Sequence, residues 1–342
     1  TIQLTLTGSM VGLALGQLLI GPISDKYGRK NPLIISLIVY LISTIAIIIF
    51  PNVYAMIALR FIQGVSSAGA VVISRAISTD LYHGRELAAF FALLMAVNGL
   101  APILSPILGS LLLELTDWRG IFVTLALIGV ILLAVSFKFN ESLAIEKRLD
   151  LPITKTYYSI VHVAKNRLFF ALVIIQGFAL ATMFAYIAAS PFILQTHYSL
   201  SPLMYSLCFG LNGFAIVLGS KNAGNFKEKI SIKLGLSLML LVSIYLAVAL
   251  TLTLPFLFIE VGFFLLLLGL GFILPAGSAI AMSLERERAG SASAFFGFVP
   301  FFLGGVVSPL VGIGNIFHSS AIAIVICSTI SFITFKLIEK KI

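Results

Sequence analysis

Apolar runs of about twenty residues recur along the whole of this 342-residue chain, joined by connections too short to be domains. A hydrocarbon core about 30 Å thick demands helices of that length. No water in that core can satisfy a backbone N–H or C=O, so each run has to pair its own, as a helix does. Runs so long and so uniformly apolar do not alternate as barrel strands would. The spans read as 4–23, 32–50, 54–79, 87–113, 118–138, 168–190, 203–220, 231–253, 255–283, 289–311 and 318–337, eleven in all. Hydrophobic residues make up 60% and charged residues 10% of the chain, against about a quarter charged in a soluble domain. The expected fold class is an all-α polytopic membrane protein.

A net charge of +9 in a soluble protein would raise the question of nucleic acid. Here its distribution answers that question. The connections after the first, third, fifth, seventh and ninth spans, with the C-terminal end, hold nearly all of the 22 Lys and Arg. The opposite side holds only Arg119, while Arg60 and Arg75 lie within a span. The rich side is cytoplasmic by the positive-inside rule, which also puts the C-terminus there. The expectation is a multi-pass membrane protein in contact with lipid and not with nucleic acid. Cys208 and Cys327 lie in apolar spans, and His83, His162, His197 and His318 are scattered at span ends. None has metal-ligand spacing, so no metal or cofactor is expected. Paired carboxylates and nucleophile constellations are missing from the spans, which argues against an enzyme.

One polar segment, 140–167, separates five spans from six. It reads equally as a solvated linker and as an amphipathic helix on the anionic inner leaflet. Before it lies the charged turn Gly21–Lys30, GPISDKYGRK. Gly21, Asp25 and Arg29 recur every four residues and share a face if the helix persists. Pro22 bends the helix end, Gly28 permits the turn, and Gly21 lets a neighbouring helix approach. Span 54–79 contains ALRFIQGVSSAGA, with Arg60, Gln63, Gly64, Ser67 and Ser78 on one face. A charge inside a span costs about 2.5–3.5 kcal/mol on insertion scales, so Arg60 faces a cavity or partner, or snorkels outward. In NGLAPILSPILG, the residues Asn98, Pro102, Ser105 and Gly109 share a face, and Pro102 and Pro106 kink the helix. The substrate-contact candidates are the polar groups Gln63, Asn98, Gln176, Tyr186 and Asn212, with Gln17 and Tyr245 beside them. Glu260, the one acid well inside the later spans, is placed to exchange protons, to make a structural hydrogen bond, or to sit at the interface.

These segments carry a resemblance. The pattern G-x-x-x-D-[RK]-x-G-R-[RK] matches at Gly21, Asp25, Lys26, Gly28, Arg29 and Lys30, and R-x-x-Q-G matches at Arg60, Gln63 and Gly64. The double-proline stretch resembles the antiporter motif G-P-x-x-G-G, with Ser105 and Ser110 replacing two glycines. The chain is similar to the major facilitator superfamily of transporters, and within it to the bicyclomycin-resistance (Bcr/CflA) group of drug–proton antiporters. The resemblance covers nearly the full chain and is densest over 16–122.

The resemblance implies a major facilitator fold of two six-helix halves with the first helix missing, the eleven visible spans being the remainder. The N-terminal half is then 1–139, the cytoplasmic linker 140–167 and the C-terminal half 168–342. It implies that Asp25 caps the eleventh helix of that family near Gly290 and Ser291, and that Arg29 pairs with Asp80. Gly21, Asp25, Gly28, Arg29 and Asp80 would form a conformational latch, the alternative being charges that only anchor topology. Arg60 would be linked to proton coupling, the acid facing it belonging to the missing helix, while Glu260 is a coupling candidate only by its place inside a span. Pro102, Ser105, Pro106 and Gly109 would favour export, or merely kink a packing helix. The second-half copy of the charged turn, GSKNAGNFKEKI, has Ala223 where the acid would stand, so the latch is one-sided. The function implied is proton-coupled export of a small amphiphilic, drug-like molecule by a monomer in a bacterial cytoplasmic membrane. The alternative is a metabolite exporter or facilitator, for example of an amino acid.

Overall fold

A helix starts well where a side chain can accept from its first, otherwise unpaired N–H groups. Asn52 accepts from Tyr54 and Ala55, Asp117 from Arg119, Ser201 from Met204 and Asn315 from Phe317. Four long helices begin at these residues. The computed structural model describes residues 3–50, 52–150, 152, 155 and 157–341, without the side chains of 3–7, 95, 96, 98–100, 102, 103, 106, 107, 110, 111, 113, 114 and 202. The described residues contain helices and no strand. The helices are α1 (Gln3–Tyr27), α2 (Lys30–Ile49), α3 (Val53–Leu81), α4 (Gly84–Leu115), α5 (Trp118–Lys138), α6 (Tyr158–Lys165), α7 (Arg167–Ser190), α8 (Pro202–Ala223), α9 (Glu228–Thr251), α10 (Phe256–Leu284), α11 (Ala289–Val311) and α12 (Ile316–Ile338). A π-helical turn, Pro191–His197, continues α7. Among the described residues, nine helices are long and apolar enough to cross a membrane. The short amphipathic α6 lies within the expected linker.

The chain divides into two compact units. The first comprises Thr1–Tyr82, Leu108–Asn166 and Met282–Phe298. Its tightest contact, α1 on α3, is made by absent side chains. A Cβ at Gly12 would collide with the Phe61 carbonyl, one at Gly16 with Val65, and one at Gly64 with the Ser9 carbonyl. Small residues let backbones approach this closely, and in lipid such packing, not the hydrophobic effect, holds helices together. Ile20, Ala68 and Ile73 form an apolar core beside the contact, with Leu13, Leu33 and Ile77 against it. Outward, α2 exposes Ile35, Ile42 and Ile49, and α5 exposes Leu127, Ile131 and Val135. Such faces suit lipid and would be a liability in water.

Gly12→Leu is expected to reduce folded protein in the membrane several-fold, because backbone lies where its side chain must go. Overpacking of this kind costs about 1–3 kcal/mol even where side chains can give way. Gly109→Leu, with nothing within 4 Å of the added Cβ, should leave the yield unchanged. Detergent-solubilised monodisperse protein, measured by fluorescence-detected gel filtration, checks both.

The second unit comprises His83–Ile107, Arg167–Ala281 and Val299–Ile342. Its helices are laced by hydroxyl-to-carbonyl bonds: Ser331 to Ile175 at 2.7 Å, Ser231 to Phe272 at 2.8 Å and Ser220 to Gly271 at 3.2 Å. Phe169, Leu172, Phe263, Ile324 and Phe335 are wholly buried around them. Just past α12, Glu339 accepts from Lys336 and from Lys233 of α9, each at 2.9 Å. Those two ammonium groups pull its carboxyl down to about 2.

Candidate functional site

The charged turn is built from the end of α1. The helix runs through Pro22 to Tyr27, so Gly21, Ser24 and Asp25 stay on helical backbone. Gly28 then reverses the chain at φ +88°, a left-handed conformation natural to glycine. A side chain at Gly28 would also strike the Glu141 carboxylate. The turn aims Arg29 back into the protein, where it is 0% exposed.

Arg29 is held on both sides. Its Nε donates to Asp80 at 2.9 Å, and Nη1 donates to Asp25 at 2.7 Å and to Ser24 Oγ at 3.0 Å. Burial pushes the guanidinium pKa down, but Asp25 and Asp80 outweigh it and hold it above its ordinary value. Asp25 in turn accepts from the Gly290 N–H at 2.7 Å, and from both the N–H and the hydroxyl of Ser291 at 2.7 Å. Those groups are the amino end of α11, which carries roughly half a positive charge. Two carboxylates thus face one guanidinium and one helix terminus, which leaves no large uncompensated charge in a buried place.

Several supports of this network were not anticipated from the sequence. Ser142 donates to Asp80 at 3.0 Å. Glu141 accepts from the backbone N–H groups of Arg29, Lys30 and Leu143 at 2.8, 3.1 and 3.0 Å. Partial burial raises the Glu141 pKa, yet those three N–H groups and Arg148 prevail and hold it below the usual carboxylate range. Arg286 donates to the Thr79 and Tyr82 carbonyls, both at 2.8 Å, closing the carboxyl end of α3. Ser159 of α6 meets Ser291 at 2.5 Å, so the linker helix touches the same terminus. The only sequence signal for these residues was that their connections lie on one side of the membrane.

Arg60 sits elsewhere in the first unit. Its Nη1 donates to Gln63 at 3.0 Å, and Gln63 donates onward to Thr44 at 2.8 Å. The guanidinium lies 5.4 Å from the centre of the Phe122 ring, a cation–π contact. Among the described residues no carboxylate pairs with it. Gln63 therefore serves Arg60 in this conformation.

In the second unit, Tyr186, Asn212 and Glu260 come together. Asn212 donates to the Tyr186 hydroxyl at 3.0 Å, and Glu260 lies beside Asn212 and Cys208. Phe209 and Phe263 pack on the Tyr186 ring, their centres 5.9 and 4.8 Å away. Glu260 is 5% exposed, and neither of its oxygens has a hydrogen-bond partner. Gln176 stands apart from this group, donating to Ser278 at 3.4 Å with its Oε1 unpartnered. Of the double-proline stretch, Ser105 is exposed and Gly109 has open space about it on α4. The side chains of Asn98, Pro102 and Pro106 lie outside the described residues. Among the described residues there is no group of His, Cys, Asp and Glu that could hold a metal.

Comparison with known proteins gives this arrangement a context. Residues 1–309 match the family described as the Major Facilitator Superfamily. An uncharacterized MFS-type transporter of Bacillus subtilis, YdgK, is 36% identical over 92% of this chain and 80% of its own length. A bicyclomycin resistance protein homolog of Haemophilus influenzae is 27% identical over 67% of this chain, and the multidrug transporter MdfA of Yersinia pestis 26% over 68%. The matches to those two span only 58% and 56% of their lengths. Among solved structures, the human organic anion transporter MFSD10 matches with a TM-score of 0.77 at 20% identity, covering 98% of this chain and 82% of its own. The E. coli fucose:proton symporter FucP matches at 0.79 and 12%, covering 98% and 90%. At these identities the structures speak for the fold.

Proposed function

Because this chain belongs to the major facilitator superfamily, we propose that it is a proton-coupled exporter of small amphiphilic molecules working by alternating access. The observation that carries the proton part is Glu260. A buried carboxylate with no partner is costly, and protonation is the simplest relief. Its place among Tyr186, Asn212 and two phenylalanine rings supports a proton site next to an apolar substrate surface. The multidrug and bicyclomycin-resistance names of relatives support drug-like cargo. Gly21, Asp25, Gly28, Arg29 and Asp80 form the latch of the cycle, tying α1 and α3 to the start of α11. The moving parts are the halves 1–139 and 168–342, joined by 140–167, in a bacterial cytoplasmic membrane with the C-terminus inside. Arg60 is the second coupling group, its guanidinium held by a hydrogen bond to Gln63 and a cation–π contact with Phe122 in this conformation. Protonation drives the cycle only by favouring one state over the other.

The test is drug-dependent proton flux. Full-length protein in liposomes loaded with a pH-sensitive dye should move protons when antibiotics or cationic dyes are added under a proton gradient. Flux abolished in Arg60→Ala supports antiport. Absence of flux across the whole panel overturns the drug reading in favour of a metabolite carrier.

A further inference from the structure

The first unit contains a second set of polar groups that the latch does not use. Gln17 of α1 is 0% exposed, and neither its Oε1 nor its Nε2 has a hydrogen-bond partner. Arg75 of α3 presents a buried Nη1 that is likewise unpartnered. Ser293 of α11, wholly buried, has a hydroxyl with no partner. Gly297 brings Gln17 and Arg75 together. A Cβ there would collide with Gln17 Oε1 and stand 2.8 Å from Arg75 Nη1. Ser293 lies one helical turn before Gly297 and shares its face.

Unpaired polar groups in such a place call for an explanation. Glu260 can shed its charge by taking a proton, but Arg75 cannot lose one, because guanidinium stays protonated in proteins. The acids next along the same helices are already engaged: Asp80 on α3 and Asp25 on α1 both hold Arg29. Among the described residues no carboxylate pairs with Arg75. The free donors, a guanidinium, an amide and a hydroxyl, are those that recognise a carboxylate.

We infer that Gln17, Arg75 and Ser293 form a recognition site for an organic anion, a carboxylate borne by the transported molecule. This rests on the transport reading only in taking the anion to be cargo. Gln17 and Arg75 close on each other across Gly297 here, with Ser293 one turn away on the same face of α11, so the anion enters as α1 draws away from α11. Binding therefore favours the state in which the Asp25 cap is released, since a ligand shifts an equilibrium only toward the state it binds better.

Purified full-length protein in lipid nanodiscs, titrated by calorimetry with 2-naphthoate and with its methyl ester, tests the site. The acid should bind at least about tenfold more tightly than the ester, the gain expected from one charge-assisted hydrogen bond. Arg75→Gln should abolish that preference, Arg75→Lys should keep part of it, and Gln17→Ala should weaken the acid several-fold. Asp25→Asn should tighten binding of the acid by freeing α11. Equal affinity for acid and ester, or an acid preference that survives Arg75→Gln, overturns the proposal. If Arg75→Gln does not fold, the acid–ester comparison in the unmodified protein and in Gln17→Ala decides alone. Absence of proton flux across the whole drug panel while naphthoate still binds overturns the drug reading and leaves this site standing. Flux without any acid preference defeats only the site.

Discussion

Asp25→Asn is expected to insert, fold and bind, and to lose transport. In the native network both carboxylate oxygens accept, Oδ1 from Gly290 and Arg29, and Oδ2 from Ser291 twice. An asparagine amide keeps one acceptor oxygen and puts an NH2, which only donates, in place of the other. Its NH2 group then faces either the amino end of α11 or the guanidinium, donor against donor. Losing two or more charge-assisted bonds costs on the order of 3 kcal/mol, a shift of roughly a hundredfold in a two-state equilibrium. Arg29 keeps Asp80 and the chain keeps its glycine-packed helices, so the loss falls on the latch and not on the fold. The measurement is proton-driven drug flux in liposomes beside a thermal unfolding curve. Normal flux from a stable Asn variant would refute the latch. Ser291→Ala, which removes one bond to Asp25, should reduce flux less.

Glu260→Gln carries the other large effect. Glutamine copies the shape of a protonated glutamic acid but cannot release a proton. Asn212 and Cys208 lie beside the native carboxyl without a hydrogen bond of normal geometry, so the substitution should leave stability nearly unchanged. Flux driven by a pH gradient should fall at least about tenfold, the scale at which general acid–base groups act. Exchange of labelled for unlabelled drug at equal pH should persist, since it needs no net proton movement. Gradient-driven flux that survives the substitution would remove Glu260 from the coupling path.

The helical spans and the charged turn could be read directly, because hydropathy and the spacing of Gly21, Asp25 and Arg29 are local properties. The targets of Asp25 and Arg29 came only through resemblance. Nothing in the spacing of Asp25 points to Gly290, which lies 265 residues away. Glu141 was invisible for a different reason: it binds backbone N–H groups, which every residue carries. Arg75 was legible as a charge within a span, but its meaning required knowing that Gln17 is orphaned beside it. Tyr186 and Asn212 could be singled out as polar groups in apolar helices. Their meeting with Glu260 depends on how α7, α8 and α10 rotate, which a pattern of this apolarity does not fix.

The distance in sequence between Asp25 and its partners also bears on biosynthesis. At about 5–20 residues per second, α11 leaves the ribosome roughly 15–50 s after α1. Through that interval the Asp25 carboxylate has Arg29 beside it but lacks the helix end that it later caps. Capping of α11 by Asp25 is thus among the last events of assembly, after Arg29 has already met Asp80.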